Sequence, residues 1–415
     1  MSLFQDYKSL VLNHEWNQDL LKQVRAIVAE DESKMEPFTL PSVVKDTKDA
    51  MDWMTNKRPK LLKFFSDNVY GRILPRPQSL SFEVLSIKED ALNNTAIRKE
   101  IRIHSENNGK SHAFDCLLYI PKNATKPVPA FAGLNFRGNQ LTIDELDVRR
   151  SGLVPENEAN HDKRATQKDL WCFRETVARG YASITACYHD IFPDNAAAWD
   201  RSALTLFDNV DGFKGCHEHY TSIGVWAWGL SRMLDYLESD PLIDASQVAV
   251  HGLSRLGKTA LWAGATDQRF KMVVSNCSGC GGAALSRRLL GENLFIMHTV
   301  FPHWLVKNIE QFIGHEDTAT FDQHELLELA APRLLAVASA TADSWADPHG
   351  EFLSAKAASE VYRLFGSEGL PAETDPAPDQ YVTGHISYHI RTGVHSQQPL
   401  DWGHYLQIAD KYFVK

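Results

Sequence analysis

The residues whose types and spacing could carry covalent chemistry stand in one short run, Gly252-Leu253-Ser254-Arg255-Leu256-Gly257, with the apolar stretch QVAVHGL at 247–253 leading into it and helix-like text following. Strand, sharp turn and helix in that order lift a serine hydroxyl off a sheet edge, and neighbouring glycines let backbone pass close to the strained nucleophile. The common G-x-S-x-G spacing is missed by one residue, because Leu256 stands in the second glycine's place and Gly257 follows it. A serine becomes a useful nucleophile only when a histidine takes its proton and an acid fixes that histidine's tautomer. With a nucleophile on such a turn, the partners follow in the order serine, acid, histidine. The strand-like segment HISYHIRTG at 385–393 runs into Val394-His395-Ser396, which makes His395 the leading base. His385 and His389 sit in that strand, where structural roles are expected, and His404 falls in a terminal helical stretch. The acid is Asp343 or Asp347, both in the loop after RLLAVASAT at 333–341. Asp343 lies closer to the strand's rim and fits better, whereas Asp347 precedes Pro348 and could equally cap a helix.

Two other chemistries compete for these letters. Gly252, four residues, then Gly257-Lys258-Thr259 is a literal phosphate-binding loop. It ranks second, because it comes late in the chain, lacks an evident acid after a later strand, and is followed by serine-hydrolase partners. Cys277-Ser278-Gly279-Cys280 has no second ligand pair for a structural zinc site, and His324-Glu325 lacks the second histidine of H-E-x-x-H. No metal and no cofactor is expected.

Parallel strands must position such a site. The runs CLLYI at 116–120, PAFAGLNF at 129–136, YASITACY at 181–188, QVAVHGL at 247–253, KMVVSNC at 271–277 and RLLAVASAT at 333–341 are nearly continuous in apolar residues, as strands buried on both faces are. The text between them is mostly long enough for crossover helices, so an α/β architecture with a largely parallel sheet is expected. SLSFEVLSI and IRKEIRIHS, between Ser79 and Ser105, alternate and predict antiparallel strands with a turn near Asn93 and Asn94. The best helix is IGVWAWGLSRMLDYLESD at 223–240, stopped by Pro241, and 367–380 reads as a loop. Residues 1–70 form an N-terminal helical segment and 79–415 the catalytic core of one α/β domain spanning 1–415.

The chain has 415 residues and a formal charge of −10, with no block of lysine and arginine and no run of apolar residues long enough to span a bilayer. That excludes a sequence-independent grip on nucleic acid and a membrane-spanning role. Cys116, Cys172, Cys187, Cys216, Cys277 and Cys280 are too scattered for a disulfide scaffold. The opening MSLFQDYKSLVLNHEW is broken by Asp6, Lys8, His14 and Glu15 and does not read as an intact signal peptide, which leaves the compartment open.

Seven blocks together resemble the glucuronoyl esterases of carbohydrate esterase family 15, especially bacterial members. They are LNFRGN at 134–139, HGLSRLGKTALWAGATDQRF at 251–270, SGCGGAALSRR at 278–288, GEN at 291–293, FDQHELLELAAPRLL at 321–335, ADSWADPHGEF at 342–352 and YHIRTGVHSQQPLDW at 388–402. The resemblance implies a metal-free α/β-hydrolase, a three-layer sandwich that cleaves 4-O-methyl-glucuronoyl esters joining xylan to lignin alcohols. It implies a secreted or periplasmic enzyme acting on plant cell-wall glucuronoxylan. By resemblance Ser254 is the nucleophile, His395 the base and Arg255 the oxyanion stabiliser, while Lys258, Glu292 and Trp345 meet the sugar's hydroxyls or ring. The departure is Cys277. Many members carry a glutamate there as the triad acid, in an N-E-S-G segment that here reads Asn276-Cys277-Ser278-Gly279. Its loss leaves Asp343 as the acid. The rivals are an acetyl-xylan-type esterase with the same triad and a non-catalytic carbohydrate-binding homologue.

Overall fold

The computed structural model describes residues 3–28, 32–35, 37–151, 164–208 and 217–414. One continuous ten-stranded sheet has the order β1-β2-β3-β5-β4-β6-β7-β8-β10-β9. Strands β1 (Ser79–Asp90), β2 (Ala96–Asn107) and β3 (Lys110–Pro121) form an antiparallel meander, and Leu92, Asn93 and Asn94 take positive φ between the first two, near the expected turn. The run CLLYI departs from expectation. It is the buried half of β3, which pairs antiparallel with both β2 and β5 (Ala182–Cys187). Its preceding residues, Lys110 to Phe114, are mostly exposed or half-buried, so only the inner end of this long strand carries the apolar signature.

The rest is parallel: β5, β4 (Val128–Asn135), β6 (Ile243–Leu253), β7 (Phe270–Asn276), β8 (Leu334–Ala340) and β10 (Ile386–Arg391). A short β9 (Tyr381–Val382), closing the far edge antiparallel to β10, was not legible beside the loop text before it. Alternate side chains of the central strands enter two separate cores. Val248, Val250, Val273, Leu335 and Val337 pack with α1 (Ser222–Ser239), α2 (Arg255–Thr266) and α3 (Pro348–Leu364). Ala249, Met272, Val274, Ala336 and Ala338 face the opposite way, toward Trp402 and Tyr405 of α4 (Pro399–Tyr412). Helices therefore cover both faces, as the near-continuous apolar runs require. No described helix is long and apolar enough to cross a membrane.

Helix α1 begins at Thr221, whose hydroxyl accepts from Gly224 N at 3.0 Å. Nearly all of it is buried, which is why tryptophan and methionine recur along it. The N-terminal stretch carries the helices Leu3–Asn13, Gln18–Ile27 and Arg58–Phe65 and braces the core. Tyr70 packs against Trp262 of α2 at a tilt, with ring centroids 4.8 Å apart, and donates to Gly281 O at 2.7 Å. Cys116, Cys172, Cys187, Cys277 and Cys280 are buried thiols, and Cys216 lies outside the described residues.

The first helix, Leu3–Asn13, is pinned by Tyr7, which donates to Glu316 Oε1 at 2.7 Å. The other Glu316 oxygen is buried without a partner, and burial pushes this carboxyl up to about 8. An unfolded glutamate titrates near 4.5. Between those values the native chain holds a proton that the unfolded chain has lost, so stability from this group is full below about 4.5 and is lost as pH rises toward 8. Glu316→Gln keeps the acceptor for Tyr7 and removes the titration. Urea unfolding from pH 5 to 8 is expected to show the variant gaining on wild type by about 1.4 kcal/mol per pH unit; parallel curves would refute an ionisable Glu316 in this role.

Candidate active site

All the parallel strands end on one edge of the sheet, so residues that follow β6, β7, β8 and β10 meet there despite long separations in sequence. Ser254 follows β6 directly. Its backbone is held at φ 61°, ψ −129°, a strained conformation for a residue with a side chain. Ser254 N donates to Asn276 O at 2.9 Å, and Ser254 O accepts from Gly257 N and Lys258 N at 2.8 and 3.1 Å. These bonds fasten the turn to β7 and to the first turn of α2. A side chain at 252 is impossible, because its Cβ would lie 2.0 Å from Leu256 O. The Ser254 side chain makes no capping bond to α2, so the alternative of a mere helix cap fails.

His395 lies in the loop after β10, and its Nδ1–H donates to Asp343 Oδ2 at 2.6 Å. The histidine side chain is 43% exposed and the aspartate 4%, an imidazole open to substrate on a buried carboxylate. Asp347 is placed differently. It caps α3 by accepting from Gly350 N at 2.9 Å and pairs with Arg288 at 2.8 Å. Cys277 sits beside the pair, with its sulfur, an Asp343 oxygen and a His395 ring nitrogen all within 4.8 Å of one another. Burial pushes its thiol up, and the neighbouring Glu351 and Asp343 add to this, so it remains a protonated group that can donate toward Asp343.

Two buried groups that the sequence did not single out hold this constellation. Glu351 Oε1 accepts from Ser278 N at 2.8 Å and Gly279 N at 3.0 Å, and its Oε2 accepts from Ser339 Oγ at 2.6 Å, tying the Cys277 loop to β8. Arg391 is the second. Its guanidinium donates to Val394 O and Ser396 O, both at 2.8 Å, and to Thr392 O at 3.1 Å, while Nε is anchored on Asp401. Three carbonyls of the loop bearing His395 thus hang on one side chain. Arg391→Met should misplace the imidazole and lower kcat on the order of 10²-fold with little change in KM, since small displacements of reacting groups carry such costs. Steady-state kinetics beside a thermal melt would check this; a rise in KM at constant kcat would count against it.

Arg255 opens α2, where its N–H has no intrahelical acceptor. Its guanidinium bonds Asp194 and lies over Trp304, 4.6 Å from the ring centroid. Asp194 Oδ1 also accepts from His303 Nε2 and Trp304 Nε1, each at 2.7 Å. Burial alone would raise the Asp194 carboxyl, yet hydrogen bonds from His303 and Trp304 and the charge of Arg255 hold it well below the usual carboxylate range. None of these three residues carries a spacing that marks it in sequence.

Lys258 is held inside the protein. Its side chain is 2% exposed, and Nζ donates to Ser278 O at 2.5 Å, Cys280 O at 2.6 Å and Glu292 Oε2 at 2.9 Å. All three ammonium protons are engaged inside the protein, one of them on Glu292. The same bonds remove it from any phosphate cradle, and with it the phosphate-loop reading. Glu292 is 11% exposed and its N–H donates to Trp345 O at 2.9 Å, which places Glu292 beside a half-buried Trp345. Gly291 permits this approach, since a Cβ there would come 2.4 Å from Trp345 O.

A family model for fungal glucuronyl esterases matches residues 212–366. Carbohydrate esterase MZ0003, from an unknown prokaryotic organism, is 39% identical over 398 residues, covering 92% of this chain and 91% of its own length. A solved glucuronoyl esterase from Solibacter usitatus superposes with a TM-score of 0.85 at 38% identity, covering 92% of this chain and all of its own. The 4-O-methyl-glucuronoyl methylesterase of Hypocrea jecorina is 28% identical over 267 residues, which cover 62% of this chain and 49% of that protein.

Proposed function

The chain belongs to carbohydrate esterase family 15, and from that premise we propose that it hydrolyses esters of the glucuronic acid carboxyl group, such as 4-O-methyl-glucuronoyl esters joining xylan to lignin alcohols. The observation that carries this reading is the His395–Asp343 pair on the same sheet edge as the strained Ser254. In the proposed reaction His395 takes the Ser254 proton through Nε2 while Ser254 Oγ attacks the ester carbonyl. Nδ1–H stays on Asp343, which stabilises the imidazolium. The Arg255 N–H and the guanidinium edge turned away from Asp194 stabilise the oxyanion, where one preorganised donor contributes about 2.7–4 kcal/mol. His395 then protonates the leaving alcohol, and water, activated by the same imidazole, releases the uronic acid from the acyl-enzyme. Such polymer esters lie outside cells, which favours a secreted or periplasmic enzyme.

Glu292 and Trp345 are proposed to grip the sugar, a carboxylate for its hydroxyls and an aromatic face for its ring, with Lys258 as a positioning residue beneath Glu292. Contacts remote from the carbonyl contribute to the transition state only when the substrate has a sugar to hold. Glu292→Gln and Trp345→Ala should therefore lose ~10-fold or more in kcat/KM on methyl glucuronate, about 1.4 kcal/mol. Activity on a small aryl acetate should change much less. Equal losses on both esters would mean that these residues support the triad and not the sugar. Asp343 beneath His395 favours an enzyme over a non-catalytic homologue, since the vacancy at Cys277 does not leave the imidazole without an acid.

A further inference from the structure

His217, His298 and Glu310 come from three separate stretches, the last two on the short helices Leu294–Val300 and Lys307–Phe312. One ring nitrogen of each histidine and a carboxylate oxygen of Glu310 lie within 4.8 Å of one another. His217 Nδ1 is 2.9 Å from Leu305 O. A carbonyl only accepts, so Nδ1 carries the proton and Nε2 presents its lone pair, the second-shell arrangement typical of a metal-binding histidine. The two imidazoles are 5.1 Å apart, and His298 Nε2 is 3.2 Å from Glu310 Oε1. The His298 side chain is 8% exposed, and its Nδ1 is buried without a partner. The facing groups also include the edge of Trp16 on His298 and Glu218 near Lys307.

We propose that His217, His298 and Glu310 form a divalent-cation site, suited by its two imidazoles and one carboxylate to zinc, with water in the fourth position. Tetrahedral zinc at ~2.0–2.1 Å would draw these atoms to about 3.4 Å apart, a modest closure from their present spacing. Glu310 is 39% exposed, which gives the ion an entry path and the water its place. The site would clip together the segments flanking His303 and Trp304, the residues that hold Asp194 against Arg255. Its role is structural and does not depend on which ester the enzyme cleaves.

The test is titration of chelator-stripped enzyme with Zn²⁺ against a chromophoric chelator, with thermal melts at each point. Wild type should take up one equivalent and rise in Tm, because an ion that binds only the native state stabilises it. Glu310→Gln, a change at a partly exposed carboxylate, and His217→Asn should each fold, bind zinc at least ~10-fold more weakly and lose the Tm rise. Cys277→Ser, at the thiol beside Asp343, should keep the equivalent. Absence of stoichiometric uptake, unchanged affinity in both folded site variants, or uptake abolished by Cys277→Ser would each overturn the proposal.

Discussion

Ser254→Ala is expected to lower kcat on the order of 10⁶-fold on methyl glucuronate, the scale seen when a serine nucleophile is removed from an intact triad. The size follows from the geometry of the turn. Ser254 is held in its strained conformation by backbone bonds to Asn276, Gly257 and Lys258, none of which uses the side chain, so alanine should leave the fold and the substrate pocket unchanged. Substrate should still bind, with the glucuronate product protecting the variant in a thermal shift much as it protects wild type. A fluorophosphonate should add covalently to wild type at Ser254 and not to the variant. Near wild-type turnover in a clean, folded Ser254→Ala preparation would remove the nucleophile assignment.

Asp343→Asn is expected to cost on the order of 10⁴-fold in kcat, because an amide can hold the imidazole in the wrong tautomer and cannot compensate its positive charge. Asp343 is 4% exposed and 2.6 Å from His395 Nδ1, so water cannot readily replace it. Asp347→Asn should leave kcat near wild type. It should instead lower stability, since Asp347 caps α3 and balances the buried Arg288. Cys277 adds a second arm. Its sulfur is close enough to His395 that a carboxylate grafted there could take over, so Cys277→Glu in the Asp343→Asn background should recover at least ~10-fold of the lost rate, about 1.36 kcal/mol of the barrier. A silent Asp343→Asn and a crippled Asp347→Asn would exchange the two roles.

Much of the sheet was legible because strands buried on both faces must be apolar almost throughout, and apart from CLLYI these runs differ from their observed bounds by only a few residues. CLLYI misled because local composition reports burial and not strand direction. Long-range pairing alone decides that β3 runs against β5. Ser254 stood out because a strained turn needs glycine at a fixed offset. Asp194, His303 and Trp304 did not, because three residues that meet around Arg255 through tertiary packing have no common period. The burial of Lys258 was hidden for a related reason. The carbonyls of Ser278 and Cys280 that bury its ammonium come from a loop whose path the helix pattern does not reveal. Arg391 was hidden within strand text, where a charged residue reads as solvent-facing until Asp401 and three carbonyls are found around it.

The proposed reaction is cleavage of a uronoyl ester. Its most direct test is one enzyme preparation given methyl 4-O-methyl-glucuronate and acetylated xylan in parallel, with methanol and acetate release followed under the same conditions. Methanol release should be faster by at least ~10-fold in kcat/KM, and it should vanish with Ser254→Ala. Preferential release of acetate would rule out a uronoyl esterase and make this chain an acetyl-xylan-type esterase built on the same triad.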